Sequence, residues 1–389
     1  MRRKSGYLLQ RISDTDYLLP YGQLIADHKR GISMNSTGVY VWNLLENEIP
    51  REKLTEEYLC HFCDDPAHKD DIAKDLDMFL DQLIDCRIIE DDAAPLPHAD
   101  VPDTYLKIGG LVLAVNGPKE LISASHLNDF SADPQEHADQ NISVIWGYPD
   151  HTADGSALLR NNELAVYERE DDYLLIFPTL SQINEVHLSK DGASVSFYCT
   201  PPVTEELKTQ FFHALRHVFL YLAQRRGMYA IHSASICYRD KAWLFSAVSG
   251  TGKSTHTNMW ERLYKTAVIN GDLNLLAFER GKPVIHGIPW CGTSEIFSRE
   301  TLPLGGIVML KQAQIDFIEE LTPDKKALFI MQRFISPMWK VEQLKDSVRF
   351  ADELSRKIHT CRLYCTKNDS AAELIKKWVD DREKKPIEQ

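Results

Sequence analysis

Hydrophobic and polar positions change their period several times along the chain. In the first stretch, two short apolar runs, Tyr7–Ile12 and Tyr17–Pro20, flank a turn composition, Ser13-Asp14-Thr15-Asp16, and Gly31-Ile32-Ser33-Met34 offers a third strand. Helical spacing then takes over. Asn35-Ser36-Thr37 is a helix start, and Val39, Trp42, Leu44 and Leu45 give that helix an apolar side. Lys53–Phe62 reads as a second helix. Asp70–Ile89 reads as a third, with Ile72, Leu76, Phe79, Leu80, Leu83 and Ile84 at helical intervals. Strands followed by three helices predict a small winged-helix α+β unit over residues 1–92.

Asp91–Thr104 is acidic, proline-rich and aperiodic, which places a linker at 93–104. Residues 105–203 read as a β-rich subdomain, with strands predicted at Leu106–Val115, Ile142–Trp146, Leu164–Glu168, Tyr173–Phe177 and Ala193–Tyr198. From 204 to 389 the pattern is mixed α/β. Thr204-Glu205-Glu206 opens a long helix that runs to about Arg226 and ends at Gly227, with Leu207, Phe211, Leu215, Val218, Phe219 and Leu222 as its buried stripe. Tyr229–Ile236 is a strand, Leu273–Phe278 and Pro283–Ile288 a hairpin, and Gly305–Leu310 a further strand. Pro323–Phe334 and Ser370–Glu383 are helices with the Cys361–Thr366 strand between them.

The centre of this last region is Lys241–Asp272. A buried strand, Ala242–Val248, runs into Ser249-Gly250-Thr251-Gly252-Lys253-Ser254-Thr255; a helix with Met259, Leu263 and Tyr264 on its apolar side comes next; a second strand, Ala267–Ile269, ends in Asn270-Gly271-Asp272. Strand, glycine loop, helix, strand, acid is the order of a phosphate-binding loop. Glycines let backbone N–H groups turn toward phosphate oxygens at the positive end of a helix. Lys253 can reach the outer phosphates and the Ser254 hydroxyl can bind Mg²⁺. The first glycine of the general pattern G-x-x-x-x-G-K-[ST] is Ala247 in this chain.

Charge narrows the partners. The 389 residues carry a formal net charge of −13, and between Arg51 and Asp103 sixteen Asp/Glu face five Lys/Arg. A winged-helix unit so acidic is not built for nucleic acid, which needs a basic face. No run of about 18 apolar residues occurs, so no membrane span is expected. No apolar run follows Met1-Arg2-Arg3-Lys4, and the expectation is a cytoplasmic chain whose eight cysteines are thiols. Cys60 and Cys63, with His68 nearby, have metal-ligand spacing but no second pair to close a four-ligand site. Cys361 and Cys365 read as core or half-buried residues.

Two resemblances add to this. Ile32–Leu45 followed by an acidic segment and D-M-F-L-D-Q-L-I-D-C-R-I-I looks like the PqqD family, Asn35, Gly38 and Trp42 fitting its N-x-[TS]-G-x-x-[IV]-W pattern. The resemblance implies a RiPP recognition element that captures the leader of a ribosomally made precursor peptide as an added strand. Carried over, the site is Gly31, Ile32, Ser33 and Met34 with exposed positions of the Asp70–Arg87 helix; the alternative is a unit serving only for docking or dimerisation. The second resemblance, from about 205 to 378, rests on I-H-S-A-S, S-G-T-G-K-S-T, V-I-N-G-D and P-W-C-G. These are similar to the HPr kinase / phosphoenolpyruvate carboxykinase class of P-loop proteins.

That resemblance implies ATP and Mg²⁺ as cofactors and a nucleotide loop of Ser249, Gly250, Thr251, Gly252, Lys253, Ser254 and Thr255. It implies Lys253, His232 and Asp272 as catalytic residues, and Ser254 and Asp272 at the metal. The first acid of the class's acidic pair is Gly271 here, which leaves open whether Asp272 binds metal, acts as base, or does both. Arg262, Arg333 and the Trp290–Thr293 loop are further candidates for phosphate or substrate contact. The expected fold is a multi-domain α/β protein with an HPr-kinase-type C-terminal domain. The expected activity is phosphoryl transfer from ATP to a hydroxyl of a recruited precursor peptide. The alternatives are a peptide-binding chaperone with a regulatory nucleotide site, or a small-molecule carboxykinase-like enzyme. Homo-oligomerisation is left open.

Overall fold

A computed structural model of the chain describes residues 1–4, 6–21, 31–63, 65, 68–85, 88–90, 102–123, 126–135, 137–149, 155–248 and 250–384. Most of the linker expected at 93–104, Ser249 and Arg87 lie outside the described residues.

Tyr7–Ile12 and Thr15–Pro20 pair antiparallel around a two-residue turn, and Ile32–Met34 adds beside the second of them. Helices Ser36–Leu44, Arg51–Phe62 and Lys69–Asp85 follow. Asn35 caps the first, its side-chain oxygen accepting from the Gly38 N–H at 2.8 Å, a bond that satisfies one of the orphan donors at a helix start. Leu18, Val41, Trp42, Leu54, Leu76, Leu80 and Leu83 form the core between sheet and helices. The third helix stops four residues short of the expected Ile89. Ile88 and Ile89 are both fully buried, and Ile89–Glu90 pairs with Arg2–Arg3 as a short two-stranded ladder.

Among the described residues the middle of the chain is a nine-stranded sheet. The run expected as one strand at Leu106–Val115 is a hairpin instead: Thr104–Ile108 and Leu111–Asn116 pair antiparallel around Gly109-Gly110. Three strands that the sequence pattern does not predict, Ser131–Ala132, Ser156–Arg160 and Ile183–Ser189, complete the sheet. The long helix, Glu205–Arg225, is capped by Thr204, whose hydroxyl accepts from the Leu207 N–H at 3.0 Å. It lays its apolar stripe on this sheet. One continuous core takes in Leu113, Ile142 and Phe197 of the sheet, Phe211 and Phe219 of the helix, and Leu275, Ile288 and Trp290 from beyond it. Burial therefore runs unbroken across residue 203 and fastens the helix to the segment that carries Asp272.

The third large sheet is built around Tyr229–Tyr238, which pairs antiparallel with Lys241–Ser246, Ala267–Asn270 and Leu273–Glu279. Thr301–Gln312 runs parallel to both Lys241–Ser246 and His359–Cys365. One side is covered by helices Lys253–Tyr264 and Asp369–Glu383, through Met259, Trp260, Ile375 and Trp378. The other is covered by Pro323–Met331 and Val341–Lys357, through Ile330, Phe350 and Leu354. The Val341–Lys357 helix and the Phe317–Glu320 strand are not anticipated from the sequence. Cys361 and Cys365 are buried, as expected. The whole is a mixed α/β protein of several sheets. Among the described residues no helix is long and apolar enough to cross a membrane.

Candidate functional site

The site starts where Lys241–Ser246 ends. Gly250 and Gly252 sit at φ 76° and 114°, conformations that cost an L side chain about 1–2 kcal/mol and glycine almost nothing. Gly252 caps the Lys253–Tyr264 helix, so its first turn opens toward the loop. From the neighbouring strand, the Gln312 side-chain amide donates to the Thr251 carbonyl at 3.2 Å and ties the loop down.

Three elements bring Lys253, His232 and Asp272 together. Lys253 is the first residue of the helix. His232 lies on Tyr229–Tyr238, its backbone fixed by N–H donation to the Arg333 carbonyl at 2.9 Å and by the Ser246 hydroxyl donating to its carbonyl at 2.7 Å. Asp272 follows Ala267–Asn270. Buried Asn270 shapes that turn: its side-chain oxygen accepts from the N–H groups of Asp272 (2.9 Å) and Leu273 (3.0 Å), and its amide donates to the Ile288 carbonyl. The Asp272 carbonyl accepts from the Ser233 N–H at 2.9 Å.

The contacts converge on one atom. His232 Nε2 lies 2.8 Å from Lys253 Nζ and 3.0 Å from Asp272 Oδ1. One ring nitrogen cannot donate to the carboxylate and accept from the ammonium at once. Proton position therefore couples the three groups: a proton on Nε2 ties His232 to Asp272, and its loss leaves a lone pair for Lys253. The hydrogen bond from His232 holds the Asp272 carboxyl below the usual carboxylate range, against its own burial, with the charges of His232, Lys253 and Arg216 adding to it. Burial pushes the Lys253 ammonium down, with Asp272 opposing and Arg333 reinforcing the shift. At neutral pH the acid is thus a carboxylate beside a partly desolvated lysine.

These side chains open on a cleft of about 650 Å³ that is also lined by Gly250, Gly252, Ser254, Thr255, Asn258, Gly271, Cys291, Thr293 and Ser294. Of the expected site residues, His232, Gly250, Gly252, Lys253, Ser254, Thr255 and Asp272 share this cleft. Thr251 lines a second cleft of about 370 Å³ on the far side of the loop, with Ala247, Val248, Phe329, Arg333 and Arg362. Arg333 therefore borders the loop from that side. Arg262 is drawn off to an ion pair with Asp369 and does not line either cleft. The Pro289–Ser294 segment is anchored by Trp290, whose Nε1 donates to the Phe212 carbonyl of the long helix at 3.0 Å; its Cys291, Thr293 and Ser294 line the larger cleft.

Sequence reasoning missed three contributors: Asn270, Asn258 and Arg216. Asn258 was findable as a polar residue one turn beyond Ser254 on the same helix. Arg216 lies on the long helix and acts electrostatically on Asp272 and Glu163; no local motif marks it. The four residues of the expected peptide site end at an edge. Ile32–Met34 pairs with Thr15–Pro20 alone among the described residues. Met34 is buried, and Ser33 is exposed.

As to a metal, no group of three or more His, Cys, Asp or Glu set to hold one occurs among the described residues. One hydroxyl, Ser254, and one carboxylate, Asp272, fit a Mg²⁺ ion that takes the rest of its oxygen shell from phosphates and water.

No curated protein matches the chain. Among solved structures, the HPr(Ser) kinase/phosphatase from Coxiella burnetii is similar over 40% of this chain and 90% of its own, at 8% identity and a TM-score of 0.25. The family model described as Coenzyme PQQ synthesis protein D (PqqD) matches residues 23–89. Those residues take in the Ile32–Met34 strand and the three helices that follow it, a PqqD domain near the start of the chain.

Proposed function

We propose that the chain is an ATP-dependent phosphotransferase that recruits a precursor peptide through residues 1–92 and transfers the γ-phosphate to a hydroxyl. The observation that carries the reading is the convergence of Lys253, His232 and Asp272 beside the left-handed Gly250–Gly252 turn. In this reading residues 204–389 are a P-loop domain and 105–203 the subdomain packed on it. The loop N–H groups and the helix start receive the phosphates. Lys253 leaves His232 for the β/γ-phosphate oxygens, and the smaller cleft, walled by Val248 and Phe329, takes the base. Ser254 and Asp272 would hold a Mg²⁺ ion, which would supply charge neutralisation when bound. The acceptor oxygen attacks phosphorus, the bond to ADP breaks, and the acceptor proton passes to Asp272. Positioning and charge, rather than a strong base, govern such transfers, so a carboxylate of depressed pKa suffices.

A PqqD domain points to a precursor peptide as partner, and the side of Ile32–Met34 that pairs with no described strand is where a peptide strand would add. The test is ³²P transfer from ATP to a leader-bearing peptide. Transfer by wild type and its loss in Asp272→Asn support the reading; equal transfer by both rejects it. A second reading is favoured by Gly271, where an acid would be expected: a peptide-binding chaperone with a regulatory nucleotide site. Peptide binding that responds to ATP with no turnover would select it.

A further inference from the structure

The position before Asp272 has no room for a side chain. A Cβ built on Gly271 would lie 2.0 Å from Ser294 Oγ and 2.4 Å from Ser294 Cβ, far inside van der Waals contact. Ser294 is not free to withdraw: its hydroxyl donates to the Cys291 carbonyl at 2.7 Å and accepts from the Ile296 N–H at 3.3 Å. The same loop presses from its other residue, since a Cβ on Gly292 would come within 2.9 Å of Asp272 Cβ. A neutral hydroxyl thus fills the space in which a second carboxylate would begin. Among the residues lining the larger cleft, Asp272 is the one acid.

Positive charge is supplied instead by the protein. Arg216 stands on the long helix between Phe212 and Phe219, one turn from each. Phe212 takes the Trp290 indole N–H on its carbonyl, and Phe219 packs on the Trp290 ring at 5.1 Å. Arg216 therefore belongs to the helix face that carries the loop lying against Asp272. Its Nε is buried without a hydrogen-bond partner among the described residues, and its charge is felt by Asp272. A buried guanidinium nitrogen left without a partner is retained at a cost in stability, which a role beside a charged ligand explains.

We infer that this nucleotide site holds a single divalent cation, with Ser294 excluding the second carboxylate and the positive charge of Arg216 acting on the one carboxylate that remains. The inference rests on the nucleotide-binding reading of the site. Mn²⁺ is the probe. Native mass spectrometry of the full chain with AMP-PNP and excess Mn²⁺ is expected to show one nucleotide and one Mn²⁺. The double variant Gly271→Asp/Ser294→Gly opens the space and adds the acid, and is expected to take up a second Mn²⁺. Arg216→Gln removes a repelling charge and is expected to tighten Mn²⁺ on the AMP-PNP complex several-fold, read by the loss of the free Mn²⁺ electron paramagnetic resonance signal. Two Mn²⁺ on the wild-type complex, or an Arg216→Gln affinity unchanged or weakened, overturns the inference while leaving the nucleotide reading intact. No AMP-PNP bound at all overturns both. If the double variant does not fold, the wild-type count and the Arg216→Gln affinity still decide.

Discussion

Mild acid is expected to destabilise the C-terminal sheet through His256. This residue is 2% exposed, in the first turns of the Lys253–Tyr264 helix. Its ring stacks on Phe245 at 5.7 Å, and neither ring nitrogen has a hydrogen-bond partner among the described residues. Burial pushes its pKa down to about 4, with Asp316 opposing. The unfolded chain binds the proton near the ordinary value of about 6.5. The unfolded state therefore holds more protons between these limits, and stability falls as pH drops from 6.5 toward 4. The full linkage is about 3 kcal/mol, of which about 2 kcal/mol is lost by pH 5.

The assay is urea unfolding followed by tryptophan fluorescence, Trp243, Trp260 and Trp378 all lying in the same core, at pH 7.5 and pH 5. His256→Leu removes the titrating group and the two orphaned nitrogens while keeping an apolar side chain against Phe245. It is expected to equal or exceed wild type in stability at pH 7.5 and to lose about 2 kcal/mol less on going to pH 5, a midpoint difference of about 1 M urea. His217, also pushed down to about 4 by burial, titrates in both proteins and cancels. The depressed carboxylates, Asp272 and Asp316 among them, lose their contribution as pH falls through the ordinary carboxylate value of about 4 and below, and do so in both proteins alike. An equal acid loss in wild type and variant, or an imidazole resonance of His256 titrating near 6.5, would refute the reasoning.

Three further outcomes are expected. Asp272→Asn keeps the cleft's shape and AMP-PNP binding but lowers phosphoryl transfer by about 10²–10⁴-fold, the usual worth of a positioned acid or base; calorimetry and ³²P transfer on one preparation separate the two. Trp290→Phe leaves the Phe212 carbonyl without its 3.0 Å donor and costs about 1 kcal/mol in urea unfolding, whereas Trp290→Ala, at a 3% exposed site, costs about 3–5 kcal/mol. Asn35→Ala removes the helix cap of the N-terminal unit and costs about 1 kcal/mol; hydrogen exchange should locate the loss in Ser36–Leu44.

The parts of the fold that were legible in the sequence are those whose signal is local. Lys241–Asp272 is one contiguous strand–loop–helix–strand unit, and every strand end and the helix fall within a few residues of expectation. Where the period breaks, the signal goes. Ile183–Ser189 carries a register irregularity between Ile183 and Glu185, so its buried Ile183, Val186 and Leu188 do not alternate. Val341–Lys357 is different: Val341, Leu344, Val348, Ala351 and Leu354 recur at helical spacing on one side of it, so this helix was legible in the pattern and was overlooked. Gly109-Gly110 interrupts an apolar run that otherwise reads as one strand. Arg216 was illegible for a different reason: it lies 56 residues before Asp272, and only the docking of Trp290 on the long helix brings the two together.

The two departures from the nucleotide-loop pattern, Ala247 and Gly271, look equivalent in the sequence, but their surroundings separate them. Among the described residues of the loop, those held at positive φ are Gly250 and Gly252; Ala247 is not among them. Ala247 is 2% exposed and packs in the core with Phe245, Met259 and Trp260, so a methyl there fills space that a glycine would leave to the same backbone. The alanine therefore gives no reason to doubt the loop. Gly271 is compelled, because Ser294 occupies the space a side chain would need. Restoring an acid at 271 alone should thus displace the Cys291–Ser294 wall of the cleft rather than improve the site.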